Sequence, residues 1–193
     1  MAGALAGDAA GGRGLTDRSA RVYLVGFMGS GKTTVGRRLA ARLGVPFLDL
    51  DEAFEAMAGA TIRQTFETRG EAWFRDREAQ LLRGTADLPA VVVALGGGTF
   101  VFPDNAAFVR RHGVSVFLDV PFETLARRLQ GKTADRPLFQ SGAEALRLYE
   151  VRRPFYTMAD LTIPVNDNMT IEDVVEHLMS VIRAAGGAAA GGG

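Results

Sequence analysis

A short apolar run at 21–25, opened by Arg21 and unbroken from Val22, stops on Gly26, and apolar residues return at 35, 39, 40 and 43. The first pattern suits a strand covered on both faces, and the second lays one stripe along a helix. A glycine-bearing loop joins them, so the chain opens on strand, loop and helix. Residues 45–50 read as a second strand, followed by helical stretches at 51–58, 61–68 and 71–84 that Gly59 and Gly70 separate. Two further apolar runs, 91–95 and 114–118, supply a third and fourth strand, with helices expected over 104–112 and 122–129. Beyond a polar stretch near 130–142 the pattern predicts a helix to about 158, a short strand at 161–165 and a last helix at 170–184. Asn168 or Thr170 is the N-cap candidate of that last helix. Five strands alternating with helices define an α/β chain with a parallel sheet.

Composition trims this picture at both ends. Residues 1–20 hold Leu5 and Leu15 among Gly and Ala, without the continuous apolar stretch of a secretory signal, and read as a disordered leader. Residues 186–193 are only Gly and Ala and read as a disordered tail, leaving one domain over 21–185. Lys plus Arg equals Asp plus Glu at 22 each, so no global field favours nucleic acid or an anionic membrane. The absence of cysteine excludes disulfides, thiolate metal sites and cysteine nucleophiles. No apolar run approaches the roughly 20 residues needed to span a bilayer. The expectation is a cytoplasmic monomer.

The chemistry concentrates in Gly26-Phe27-Met28-Gly29-Ser30-Gly31-Lys32-Thr33, which sits between the first strand and the first helix. Such a P-loop turns converging backbone N–H groups, at the positive end of a helix, toward clustered phosphate oxygens. Lys32 reaches the β and γ phosphates as a point charge, and the Thr33 hydroxyl suits the Mg²⁺ that bridges them. Thr34 is either helical or turned to the adenosine. Only two of the 22 basic residues are lysines, Lys32 and Lys132, so a lysine in the loop reads as a choice of compact ammonium.

Asp49 and Asp51 flank Leu50 at the end of the second strand, where residues two apart share a face and where open parallel sheets place their ligand crevice. One suits the Mg²⁺ shell and the other a substrate hydroxyl, as acceptor or base. The alternative for Asp51 is the N-cap of a helix beginning at Glu52. Arg75 and Glu78 stand three apart on one helix face, either orienting one another or forming a solvated surface pair. Gly96-Gly97-Gly98 follows a buried strand and reads as a second close backbone approach to ligand, or as a plain tight turn. Trp73 and Phe74 read as core. His112, before Gly113, suits a helix C-terminus, and neither it nor His177 has a metal partner at useful spacing.

These motifs, with Gly36-Arg37, Gly70-Glu71-x-x-Phe74-Arg75, Arg136-Pro137-Leu138 and Arg152-Arg153-Pro154-Phe155-Tyr156, occur in an order and spacing that resemble the shikimate kinase family over residues 21–183. The resemblance implies a P-loop kinase fold with strand order 2-3-1-4-5, a helical substrate-binding segment over about 50–84 and a lid over about 130–143. It implies transfer of phosphate from MgATP to the 3-hydroxyl of shikimate, on the route to chorismate and aromatic amino acids. It assigns Thr33 and Asp49 to Mg²⁺, and Asp51, Arg75, Gly97, Gly98 and Arg152 to shikimate, with Glu78 nearby. Gly29, Ser30, Gly31, Lys32, Thr33, Thr34, Arg128 and Arg136 go to the nucleotide. Arg127 is the alternative to Arg128, and Arg153 to Arg152. Lys32, Asp51 and Arg136 carry catalysis, and residues 166–168 are the adenine-side candidates or a plain turn. Guanidinium forks match the carboxylate of shikimate, and Asp51 its hydroxyls. The competing readings are a kinase for another hydroxy acid such as gluconate, or a nucleotide- and shikimate-sensing module without turnover.

Overall fold

A computed structural model describes residues 20–129 and 142–189. Strands β1 (Arg21–Val25), β2 (Phe47–Asp49), β3 (Val91–Ala94), β4 (Val114–Asp119) and β5 (Leu161–Pro164) form one parallel sheet in the order β2-β3-β1-β4-β5. Helices α1 (Lys32–Leu43), α2 (Leu50–Ala58), α3 (Ile62–Gly84), α4 (Pro103–His112), α5 (Phe122–Leu129), α6 (Gly142–Tyr156) and α7 (Ile171–Ala189) surround it. The expected sheet order therefore stands. β1 lies between β3 and β4, where the strand order reverses, which makes the crevice at its C-terminal end the natural ligand position.

The apolar runs read as doubly covered strands are buried along their length in β1, β3 and β4. Helix α1 contributes Val35, Leu39 and Ala40 to the core, and α7 contributes Val174, Val175, Leu178, Met179 and Ile182, the stripe that 3.6-residue periodicity requires. Among the described residues no helix is long and apolar enough to cross a membrane.

Boundaries moved for local reasons. β2 is shorter than 45–50 because the Val45 N–H closes on the Ala40 carbonyl at the end of α1, 3.1 Å away, while Leu50 already belongs to α2. α3 runs through both predicted stretches, but Gly70 inside it has φ 79° and ψ 166°, so the expected break survives as a kink that a Cβ would oppose. Trp73 and Phe74 pack edge-on against Phe54, tying α3 to α2 as core residues should. Thr170 is the N-cap of α7: its hydroxyl accepts the Asp173 N–H at 3.1 Å, and the Asp173 carboxylate accepts the Thr170 N–H at 2.8 Å. The Thr170 hydroxyl, which donates to the Asp173 carboxylate at 2.7 Å, and then the Thr170 N–H hold Asp173 below the ordinary carboxylate pKa. α7 continues to Ala189, into the stretch expected as a tail.

His112 ends α4 and its Nδ1 lies 2.9 Å from the Phe108 carbonyl, but Gly113 is extended (φ −168°) and is not a left-handed cap. Space demands the glycine: a Cβ there would stand 2.5 Å from both the Arg21 carbonyl oxygen and the Tyr23 ring. Gly113→Ala is expected to destabilise the fold by about 1–3 kcal/mol through overpacking against backbone, read as a lower denaturation midpoint in urea with the slope unchanged.

Candidate active site

A cavity of about 960 Å³ opens where the strands end. Its floor is the loop from Met28 to Thr33, and α1 starts from Gly31 with no side chain capping its first N–H groups. Those donors and the helix dipole form an anion site. Lys32 Nζ donates to the Gly26 and Phe27 carbonyls at 2.8 and 3.0 Å, closing the loop on itself. Ser30 is buried, and its Oγ has no hydrogen-bond partner among the described residues, a deficit of about 1–3 kcal/mol that calls for a missing partner. Thr34 is exposed on the first turn of α1 and also borders the cavity.

Asp49 and Asp51 do converge, but not as neighbours on a strand face. The chain turns at Leu50, so Asp49 ends β2 while Asp51 lies in the first turn of α2. The N-cap is Asp49 rather than Asp51: its Oδ1 accepts the Asp51 and Glu52 N–H groups at 3.0 and 3.4 Å. Its other oxygen, Oδ2, accepts the Thr33 hydroxyl at 2.6 Å, joining the P-loop to the carboxylate pair. Asp51 Oδ1 would lie 2.7 Å from a Cβ at Gly96, as would Glu78 Oε1 at 2.8 Å and Thr99 Oγ1 at 3.0 Å. Three oxygens from different elements thus crowd one bare Cα.

The Arg75–Glu78 pair is no solvated surface pair. Nη1 of Arg75 donates to Glu78 Oε2 at 2.9 Å, with the two side chains 17% and 3% exposed. Glu71 takes two further bonds from the guanidinium at 3.1 Å, and the rings of Phe66, Phe74 and Phe102 surround it at 6.0, 4.8 and 5.3 Å. A Cβ at Gly98 would stand 2.9 Å from Nη2 of Arg75, so the glycine run is a close approach and not only a turn. Behind Glu78, Thr99 Oγ1 donates to Oε1 at 2.5 Å, Asn105 donates to the Thr99 carbonyl at 3.1 Å, and Arg83 donates to Asn105 at 2.9 Å. This supporting chain was not anticipated. Its members come from α3, the turn after β3, and α4, and only the expected buried strand before Gly96 hinted that polar groups there need partners.

The adjacent arginines separate cleanly. Arg152 is 9% exposed and lines the cavity beside Gly97, whereas Arg153 turns away to Asp119 at 2.7 Å, a bond that raises its pKa. Arg128 borders the cavity with Nη1 3.4 Å from the Gly29 carbonyl, while Arg127 pairs with Asp167 and with Thr124 at 3.1 Å. On that side the wall is Val165, Met169, Thr170 and Ile171; the Asn168 N–H closes a turn on Asn166 Oδ1 at 2.9 Å. Arg136 and nearly all of the expected lid lie outside the described residues.

A phosphate loop at the switch point of a parallel sheet, with an acid- and arginine-lined compartment beside it, defines a P-loop small-molecule kinase. The model of the family described as shikimate kinase matches residues 28–183, and the chain belongs to that family. It is 42% identical over 175 residues to a shikimate kinase of Salinibacter ruber, covering 85% of each chain. It is 43% identical to one of Microcystis aeruginosa, over 86% of this chain and 87% of that one. The solved shikimate kinase of Acinetobacter baumannii in complex with shikimate superposes with a TM-score of 0.82 at 36% identity, over 88% of this chain and 96% of that chain.

Proposed function

We infer that this chain transfers the γ-phosphoryl group of ATP to the 3-hydroxyl of shikimate, giving shikimate 3-phosphate and ADP for the route to chorismate. The observation that carries the reading is the convergence of Asp51, Arg75, Arg152 and the Gly96–Gly98 turn in the cavity that also holds the P-loop. Two guanidinium groups suit the single carboxylate of the acceptor, and Asp51 suits its hydroxyls. Gluconate would satisfy the arginines equally, but the family membership favours shikimate. A sensing module without turnover is disfavoured by the presence of Lys32 and Asp51 at the cavity.

In the reaction the hydroxyl oxygen forms a bond to the γ-phosphorus as the bond to the bridging β–γ oxygen breaks, and Asp51 takes the hydroxyl proton. Gly29, Ser30, Gly31, Lys32, Thr33 and Thr34 hold the nucleotide phosphates, Arg128 flanks the nucleotide, and Arg136 supplies charge over the transferring group. Thr33 and Asp49 fit Mg²⁺: a hydroxyl and a carboxylate oxygen beside a phosphate site are the few hard donors it takes from protein. Bound there, it would neutralise charge on the β and γ phosphates. Most of the acceleration comes from positioning and fixed electrostatics. The protein works as a cytoplasmic monomer, to be checked by a solution mass near 20.6 kDa.

Coupled ADP release with MgATP and a panel of shikimate, quinate and gluconate tests this directly, and folded protein without shikimate-dependent turnover would overturn it. Arg75→Lys in the same assay is expected to raise the KM for shikimate about 10- to 100-fold, the loss of one charged, forked hydrogen bond, while ATP changes within about twofold. Equal losses for both substrates contradict the assignment.

A further inference from the structure

The Gly96–Gly98 turn is held from below by a residue that no role yet explains. Tyr156, the last residue of α6, is 1% exposed and donates its hydroxyl proton to the Gly97 carbonyl. Its ring is fixed against Phe117, with centroids 5.5 Å apart, so the hydroxyl cannot wander. One helical turn earlier Arg152 lies close to the same phenol and beside Gly97, with Nη1 3.6 Å from where its Cβ would be. Burial pushes the Tyr156 pKa up to about 12, so the phenol keeps its proton at neutral pH and is a constant donor.

The peptide between Gly97 and Gly98 has no Cβ on either side. Rotation of that plane, which exchanges the directions of C=O and N–H, meets little of the steric opposition that other residues impose. Because the unit is planar and trans, fixing the Gly97 oxygen toward Tyr156 points the Gly98 N–H the opposite way. Gly97 and Gly98 line the cavity and Tyr156 does not, so an oxygen turned to Tyr156 leaves the Gly98 N–H on the cavity side. A flipped peptide would present a carbonyl oxygen there, beside the carboxylate of an acidic substrate or the negative charge of the transferring phosphoryl group.

We propose that Tyr156 is a positioning residue for the acceptor: its hydroxyl locks the Gly97–Gly98 peptide with the N–H facing substrate and steadies Arg152 in the cavity. The inference rests on the reading of the site as an acceptor site for shikimate. It also explains why a tyrosine is needed where phenylalanine would fill the same core volume.

The test compares Tyr156→Phe with Tyr23→Phe in steady-state ADP release and thermal unfolding. Tyr23 is the matched control, 0% exposed and bonded through its hydroxyl to Thr85 Oγ1 at 2.8 Å, away from the cavity. Both variants lose one buried hydroxyl and are expected to melt a few degrees lower. Only Tyr156→Phe should raise the KM for shikimate, about tenfold, with the KM for ATP within about twofold. An unchanged KM for shikimate in folded Tyr156→Phe, a parallel rise for both substrates, or the same change in Tyr23→Phe each overturns the proposal. Wild-type protein that fails to turn over shikimate overturns the underlying reading instead, so the two failures are distinct.

Discussion

Lys32→Met is expected to lower kcat by about a thousandfold or more, the scale on which a preorganised cation aimed at a developing phosphoryl charge acts. Methionine keeps much of the apolar stem, so the loss is one of charge and donors and not of packing. Two of the ammonium's three donors hold the Gly26 and Phe27 carbonyls, which means the side chain both shapes the loop and carries charge to it. The variant should therefore also bind ATP more weakly, with the KM for shikimate least affected. Lys32→Arg is not a rescue, because the planar fork cannot make the same compact pair of contacts inside the loop. Single-turnover and steady-state ADP release measure the effect; activity within about tenfold of wild type would remove Lys32 from the catalytic machinery.

How legible the site was depends on how local its physics is. The P-loop could be read because strand, glycine turn and helix are contiguous, and the dipole and the N–H groups it uses belong to that one segment. The sheet was legible as five apolar or short β runs, but its order came from the family likeness, since periodicity does not say which strands pair. Periodicity did not choose between adjacent arginines; the preference for Arg152 and Arg128 came from the family likeness. Neighbours on a helix point about 100° apart, and which of Arg152 and Arg153 enters the cavity depends on what α6 packs against. Long-range partners were invisible for the same reason: the aromatic surround of Arg75 draws Phe66 and Phe102 from either side, and Thr99, Asn105 and Arg83 support Glu78 across three segments. Gly113 illustrates the converse, a glycine that looks like a helix stop and is required by Arg21 and Tyr23 on the neighbouring strand. Tyr156 had a readable hint, the spacing of four from Arg152, but its partner Gly97 lies on another element.

The two aspartates that flank Leu50 give the second large effect, and they should fail differently. Asp51→Asn keeps shape and the α2 first turn, because the cap is supplied by Asp49 and involves only the backbone N–H of residue 51. What it removes is the carboxylate we propose as acceptor of the hydroxyl proton, and kcat is expected to fall about 10²- to 10⁴-fold. Extra Mg²⁺ should not restore it. Asp49→Asn also keeps an oxygen for the cap, yet the Thr33 hydroxyl loses its charged partner at 2.6 Å and the metal site loses its carboxylate. That variant should show a raised Mg²⁺ requirement, with a part of the activity returning as the metal concentration rises, since neutral amide oxygens are weaker ligands for a hard cation. The contrast follows from the turn at Leu50. Had both residues stood on one strand face they would have shared a single environment, whereas the observed break places Asp49 under Thr33 and Asp51 against the Gly96 turn with Glu78. Titrating Mg²⁺ against rate for the two variants side by side measures this division of labour, and identical metal dependence in both would show that the carboxylates act as one unit.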